Sequence, residues 1–426
     1  MAKKKKLRKP PREYTRRQLS QFQRQKRRQR IVFISGVSII AAIVLIVVLG
    51  WFLYEFRPLH QTVIRVNDTS FSAGYYVDAL KIVSVDQPPA YISSVAANLA
   101  REIEQNELMR QGAWKLGITV DDDEVKAAIE GSAIPVNDAS LDFTRIQLLR
   151  QKLYDEYFKF QVPESMEQVY IMAILLESES QALEIRDRLE NSENFTSLAE
   201  EFALDYYAKN VNQGDYGWHP EVIFSERYLG SPVAVEYAFS AEPGTLSQPL
   251  YDEEKSKQLG YWLINVVDTE YEEEALIQAL YLSSEEEADA IKVRLEAGDN
   301  LTALATEYSD YSPSRDQGGE LGMVAAGDIT DAFDAYAFDP EVEIGVWSEP
   351  IRDDELWTQG GYWLIKIVDK DDDRELDEED RNYLLNNAYN DWVSSLWLEA
   401  ATGIDDISLT PEVMQWAIDR VSKGLE

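Results

Sequence analysis

Gly361 to Asp369 reads GYWLIKIVD, and 101 residues earlier Gly260 to Asp268 reads GYWLINVVD, identical at seven of nine positions. In each copy Trp, Ile and then Ile or Val point one way, while Tyr, Leu, Lys or Asn and Val point the other, the period of a pleated strand. The duplication reaches further back. LENSENFTSLAEEFA at Leu189 to Ala203 matches LEAGDNLTALATEYS at Leu295 to Ser309, and GDYG at Gly214 to Gly217 matches GELG at Gly319 to Gly322. Two copies of a unit of strands and an acid-rich helix predict two domains, since a solenoid needs at least three repeats. Each domain is expected to end on its own GYW strand, which divides the chain at 167–268 and 272–369.

At the other end, Ile31 to Tyr54 runs 24 residues without a charge. That is longer than a signal-peptide core and long enough to span a bilayer. No small-residue cleavage pattern follows; Trp51, Phe52, Tyr54 and Phe56 resemble an interfacial aromatic belt. Residues 1–30 carry 14 Lys or Arg against Glu13 alone, a flank that stays in the cytoplasm. The expected topology is a basic cytoplasmic head at 1–30, an uncleaved anchor at 31–55, and everything beyond it outside. The whole chain has a net charge of −36, so the part beyond the head is more acidic still, which excludes nucleic acid as its partner. There is no Cys, hence no disulfide framework, thiol catalysis or lipidated Cys.

Between anchor and repeats, residues 62–162 read as a short strand, a turn at Asn67 and Asp68, and helices. Ile92, Val95, Leu99 and Ile103 mark one helix face. After the second repeat, residues 375–426 carry an amphipathic helix with Tyr383, Leu384, Tyr389, Trp392, Leu396 and Trp397, and a last helix opening at Thr410 and Pro411. This tail is too small to fold alone, and the N-terminal helices are its expected partner. The fold class is therefore α+β: a single membrane helix, a helical module built from both ends of the chain, and two small-sheet domains.

These residues carry a resemblance. The two repeats resemble parvulin-type (PpiC) peptidyl-prolyl isomerase domains, most specifically in YSDYSPSRDQGGELG followed by AFDAYAF, and the layout from about Val63 onward is similar to SurA-like and PrsA-like extracytoplasmic foldases. The resemblance implies a chaperone module from the N- and C-terminal helices, unfolded or exported polypeptides as partners, and no cofactor or metal. In such a domain a pocket holds the proline ring, beside a polar position, a hydroxyl and two His. Carried onto the second repeat, the pocket falls on Ile329 and Phe333 with Phe338 behind, the hydroxyl on Thr358, the polar position on Tyr311, and the two His positions on Ala279 and Trp363. In the first repeat the His positions are Ala173 and Trp262, the pocket positions Gly230 and Ala234, the polar position Asp205, and the hydroxyl position Lys257.

A small and a large residue replace two medium ones in both repeats, conserving volume. Trp262 is accordingly expected against Ala173, and Trp363 against Ala279. The two His of the chain, His60 and His219, lie at none of these positions. Three functions follow: a membrane-tethered folding factor with weak or lost isomerase activity, a working isomerase using the second repeat, or an envelope scaffold. The acidic runs Asp121 to Glu124, Glu270 to Glu274 and Asp369 to Asp373 lack the alternating ligand spacing of a calcium loop.

Overall fold

The computed structural model describes residues 16–85, 87–132, 135–271, 274–400, 404–405 and 409–425. Residues 1–15 of the basic head, and Glu272 and Glu273 of the second acidic run, lie outside the described residues. The chain divides into two compact units, 1–162 with 385–426, and 163–384.

In the first unit, the latter part of α1 (Arg16–Trp51) lies in a stretch, Val32–Leu59, that is long and apolar enough to cross a membrane. Its side chains are exposed, Ile46 at 67%. The strands β1 (Thr62–Val66) and β2 (Thr69–Ser72) form a hairpin with Val66 opposite Thr69. Asn67 turns the chain at φ 54°, a left-handed conformation that Asn tolerates. Ser72 Oγ then accepts the Tyr75 amide and caps α2 (Ala73–Val83). Ile92, Ala96, Leu99 and Ile103 are the buried face of α3 (Pro89–Lys115).

The second unit contains two four-stranded antiparallel sheets. The first comprises β3 (Ser165–Leu176), β4 (Asp215–His219), β5 (Leu250–Lys257) and β10 (Thr358–Glu375), in the order β4-β3-β10-β5. The second comprises β6 (Gly260–Tyr271), β7 (Glu274–Leu282), β8 (Glu320–Ala325) and β9 (Ile351–Asp353), in the order β8-β7-β6-β9. Equivalent helices cover them and begin on equivalent caps: Ser178 and Ser284 open Glu179–Glu190 and Glu285–Glu296, and Asn194 and Asn300 open Phe195–Phe202 and Leu301–Tyr308.

The sheet order corrects the division expected from the repeat. GYWLINVVD does not close the first sheet; it belongs to β6, which pairs with β7 of the second. GYWLIKIVD belongs to β10 and completes the first sheet between β3 and β5. The second domain is thus inserted in the first, and the two closing strands are exchanged. Because the strands are nearly the same sequence, their pattern could not say which sheet each would join. The connecting segments distinguish the arrangements. They run antiparallel past each other, with Thr358 opposite Lys257 and Gln359 opposite Ser256. Lys257 Nζ donates to the Gly360 carbonyl, and Thr358 Oγ1 to that of Leu259.

At the C-terminal end, α4 (Glu378–Ala400) and α5 (Pro411–Leu425) return to the first unit. Ala417 and Val421 join the core made by Val63, Tyr76, Leu80 and Ile92, while Tyr389 and Val393 pack with Met109, Leu149 and Phe158. Gly112 allows α3 to approach α4 closely: a Cβ there would lie 2.8 Å from atoms of Leu396 and Trp392.

The crossing of the connecting segments depends on Gly260. A Cβ at this position would sit 2.3 Å from Tyr281 Cζ and 2.7 Å from Thr358 Cγ2. Gly260→Ala is expected to cost about 3 kcal/mol in urea unfolding of residues 57–426, the upper range for overpacking. Gly361→Ala, whose closest contact is the flexible end of Leu175 at 2.9 Å, with the Leu176 carbonyl at an ordinary 3.4 Å, is expected to cost less.

Candidate functional site

The expected proline pocket of the second domain is built around β6. Trp262 is fully buried, and its ring lies 5.0 Å from that of Phe333, 5.1 Å from Tyr311 and 4.7 Å from Tyr281, centroid to centroid. Ile329 and Phe338 pack against the same cluster and are half-buried. Phe333 stands on the short helix Asp331–Ala337, capped by Thr330, and is also fully buried. A side chain with no accessible surface offers none to a proline ring.

The indole is fixed by a carboxylate. Trp262 Nε1 donates to Asp353 Oδ2 at 2.8 Å, Thr330 Oγ1 donates to the same oxygen at 2.5 Å, and the Glu355 amide donates to Oδ1 at 2.8 Å. Asp353 is 1% exposed, so these three donors replace the water a buried carboxylate would otherwise need. Burial, reinforced by Asp353, drives the Tyr281 phenol far above its ordinary range. Its hydroxyl donates to the Asp353 carbonyl at 3.0 Å.

Two residues expected in this pocket are elsewhere. Trp363 lies in the core of the first sheet, because β10 does. Thr358 is buried at the crossing, where it bonds Leu259. The expected Trp–Ala pairs are exchanged accordingly. Trp363 shares a core with Ala173, and Trp262 with Ala279. Directly opposite Ala173 stands Ile365, and opposite Ala279 stands Ile264, with each Trp one step along the same face.

In the first domain the corresponding space holds Lys255. Its Nζ donates to the Leu229 carbonyl at 2.6 Å and sits 5.1 Å from the Trp363 ring centroid. A Cβ on Gly230 would meet this Nζ at 4.0 Å, and Ala234 is fully buried nearby in the same core. Burial lowers the Lys255 pKa, against the pull of Asp205 and Asp252. Asp205 caps the helix Tyr206–Asn210 through the Ala208 amide at 2.7 Å, and burial raises its carboxyl pKa. Trp363 Nε1 reaches Asp252 Oδ2 at 3.4 Å, a weaker copy of the Trp262–Asp353 bond.

Sequence reasoning missed Asp252 and Asp353. A signal existed: each stands ten residues before a repeated Trp. The bonds nevertheless cross over, since each Trp uses the Asp of the other copy. His219 is half-buried and bonds Asp380 Oδ2 at 2.6 Å within the second unit, and His60 bonds the Phe56 carbonyl at 2.8 Å. The His219 ring packs on Tyr228 and Phe224 of the first domain, at 4.6 and 5.4 Å between centroids.

With this geometry in view, residues 278–369 match the family model described as Rotamase: PPIC-type PPIASE domain. This chain carries a PPIC-type PPIase domain. It is similar to proteins named foldases. It is 30% identical over 112 residues to foldase protein PrsA 4 of Bacillus cereus, covering 26% of this chain and 38% of that one. It is 35% identical over 107 residues to PrsA of Halalkalibacterium halodurans, covering 25% and 30%. The chain therefore spans well under half the length of these relatives. Solved structures of PrsA from Bacillus anthracis and of SurA-like chaperones from Campylobacter jejuni share 12% identity with it, at TM-scores of 0.25 and 0.20. The first covers 76% of this chain and 95% of that chain, the second 80% and 95%. The PPIC-type stretch 278–369 includes most of β10, which lies in the first sheet here, while β6 stands between β7 and β9 in the second.

Two measurements check this site. Trp262→Ala is expected to destabilise the second domain by about 3–5 kcal/mol in denaturant unfolding, as large aromatic truncations do. Lys257, 4% exposed, has its pKa pushed down by burial to about 8. The folded form then holds fewer protons than the unfolded form between that value and the ordinary lysine value of 10.5, so this group adds stability as pH rises through the window. Relative to Lys257→Met, the wild type should gain about 2 kcal/mol from pH 8 to pH 10.

Proposed function

We propose that this chain is a membrane-anchored extracytoplasmic folding factor of the PPIase family that binds unfolded exported polypeptides, with isomerase chemistry weak or lost. The observation that carries this reading is the burial of Trp262 against Phe333 where a proline ring would bind. Isomerisation without covalent steps depends on holding the twisted imide better than the planar one. Neither His position holds a His, and the aromatic floor is covered. The similar PrsA proteins are named foldases, and the apolar helix with a basic flank supports an anchor with the bulk of the chain outside. The acidic outer part favours clients of positive charge.

A working isomerase in the second domain would need Trp262 to leave Phe333. The test has two arms on residues 57–426. Suppression of aggregation of a denatured basic client is expected at near-stoichiometric ratios, and its absence would favour an envelope scaffold. In a peptide assay of Ala-Pro isomerisation, wild type and Phe333→Ala are expected to run at the same background rate; a wild-type rate well above background that the variant loses would establish the enzyme.

A further inference from the structure

The two exchanged strands are held by duplicate sets of contacts. In the second sheet Trp262 Nε1 bonds Asp353, the Ile264 amide donates to Ser348 Oγ at 2.9 Å, and the Gly345 amide donates to the Val266 carbonyl at 2.8 Å. In the first sheet Trp363 Nε1 bonds Asp252, the Ile365 amide donates to Ser247 Oγ at 2.9 Å, and the Gly244 amide donates to the Ile367 carbonyl at 2.8 Å. Each slot reads its strand through what β6 and β10 share: the indole N–H, the Ile two residues on, and the backbone. The core-facing difference is one methylene, Val266 against Ile367. Asn265 and Lys366 point to the other face, half-buried and exposed respectively.

We propose that each fourth-strand slot is a binding site for one class of ligand, an extended Gly-Tyr-Trp-Leu-Ile segment, and that β6 and β10 both satisfy it. The chain then has a second, tandem arrangement in which β6 closes the first sheet and β10 the second. Order of synthesis favours it at first. β3, β4, β5 and β6 all exist before β10 is made, so the first slot meets β6 before its final occupant, and domains fold as they emerge. The connections permit it: with the same register, Asp252 would face Gly260 and Asp353 would face Gly361, across loops of seven residues, 253–259 and 354–360. The exchanged arrangement gains what the tandem one lacks, the pairing of Thr358 with Lys257 and Gln359 with Ser256 and the Lys257 bond to Gly360. That difference makes the exchanged form the major one and leaves the tandem form a minor state.

The chain has no Cys, so engineered pairs report unambiguously. Lys366 stands opposite Met172, and Asn265 opposite Gln278. In the full chain, K366C/M172C and N265C/Q278C trap the exchanged form, whereas N265C/M172C and K366C/Q278C trap the tandem form. Each is refolded from urea, oxidised mildly at low concentration, and its intrachain disulfide mapped by mass spectrometry. Rapid disulfide formation is expected in the first two. In the last two it should proceed slowly to completion, drawn from a tandem population of about 1–10%. Restoring reducing conditions should return the chain to the exchanged form. No tandem disulfide after refolding would overturn the proposal, and so would tandem disulfides alone, since then each slot accepts a single strand. Circular dichroism of the four reduced variants separates these outcomes from failure to fold.

Discussion

The bond from the Trp262 indole to the buried carboxylate of Asp353 is the interaction on which the second domain depends. Burying an indole removes roughly 200 Å² from water, worth about 5 kcal/mol. That gain requires the indole N–H to find an acceptor, and an acceptor carboxylate requires further donors. Thr330 and the Glu355 amide supply them. Thr330 also caps the helix that carries Phe333, so one carboxylate positions the strand, the helix and the ring between them. The first domain repeats the plan with a longer Trp–Asp bond and a lysine over the indole, and no hydroxyl corresponding to Thr330 is bonded to Asp252 among the described residues.

The same packing bears on function. In the resemblance that the residues suggested, a proline ring occupies the space above Phe333. Here the Phe333 ring is packed against Trp262 from within the chain. In the reading proposed, a domain that satisfies its own binding surface in this way keeps its fold and gives up its pocket. What the chain retains for clients is the rest of its surface, acidic and held outside the membrane in the reading proposed.

Much of the architecture was legible because it rests on local pattern. The strand period of GYWLI and the stripe Ile92, Leu99, Ile103 both follow from single-residue physics. The orphan stripe on the C-terminal helix also named its own need, and Tyr389 and Val393 bury against Met109 and Leu149 as that need requires. What could not be read was pairing. Two nearly identical strands present the same face to either sheet, so periodicity is silent about the exchange. The consequence fell on the site. Ile329, Phe333, Phe338 and Tyr311 came together as expected, but Trp363 and Thr358 travelled with β10 to the other sheet, and Trp262 arrived with β6. Choosing between arrangements needed the crossing of 253–260 with 354–361, an interaction between segments with no distinctive motif of their own.

The claim that binds fold and function together is that Trp262, and not Trp363, covers Phe333. Selective labelling of Trp and Phe side chains and measurement of through-space proton contacts by NMR tests it directly. A strong contact between the Trp262 indole and the Phe333 ring, with the Trp262 indole N–H protected from exchange, is the expected result. A contact from Trp363 to Phe333 in its place, or an indole at 262 that exchanges freely with solvent, would contradict it.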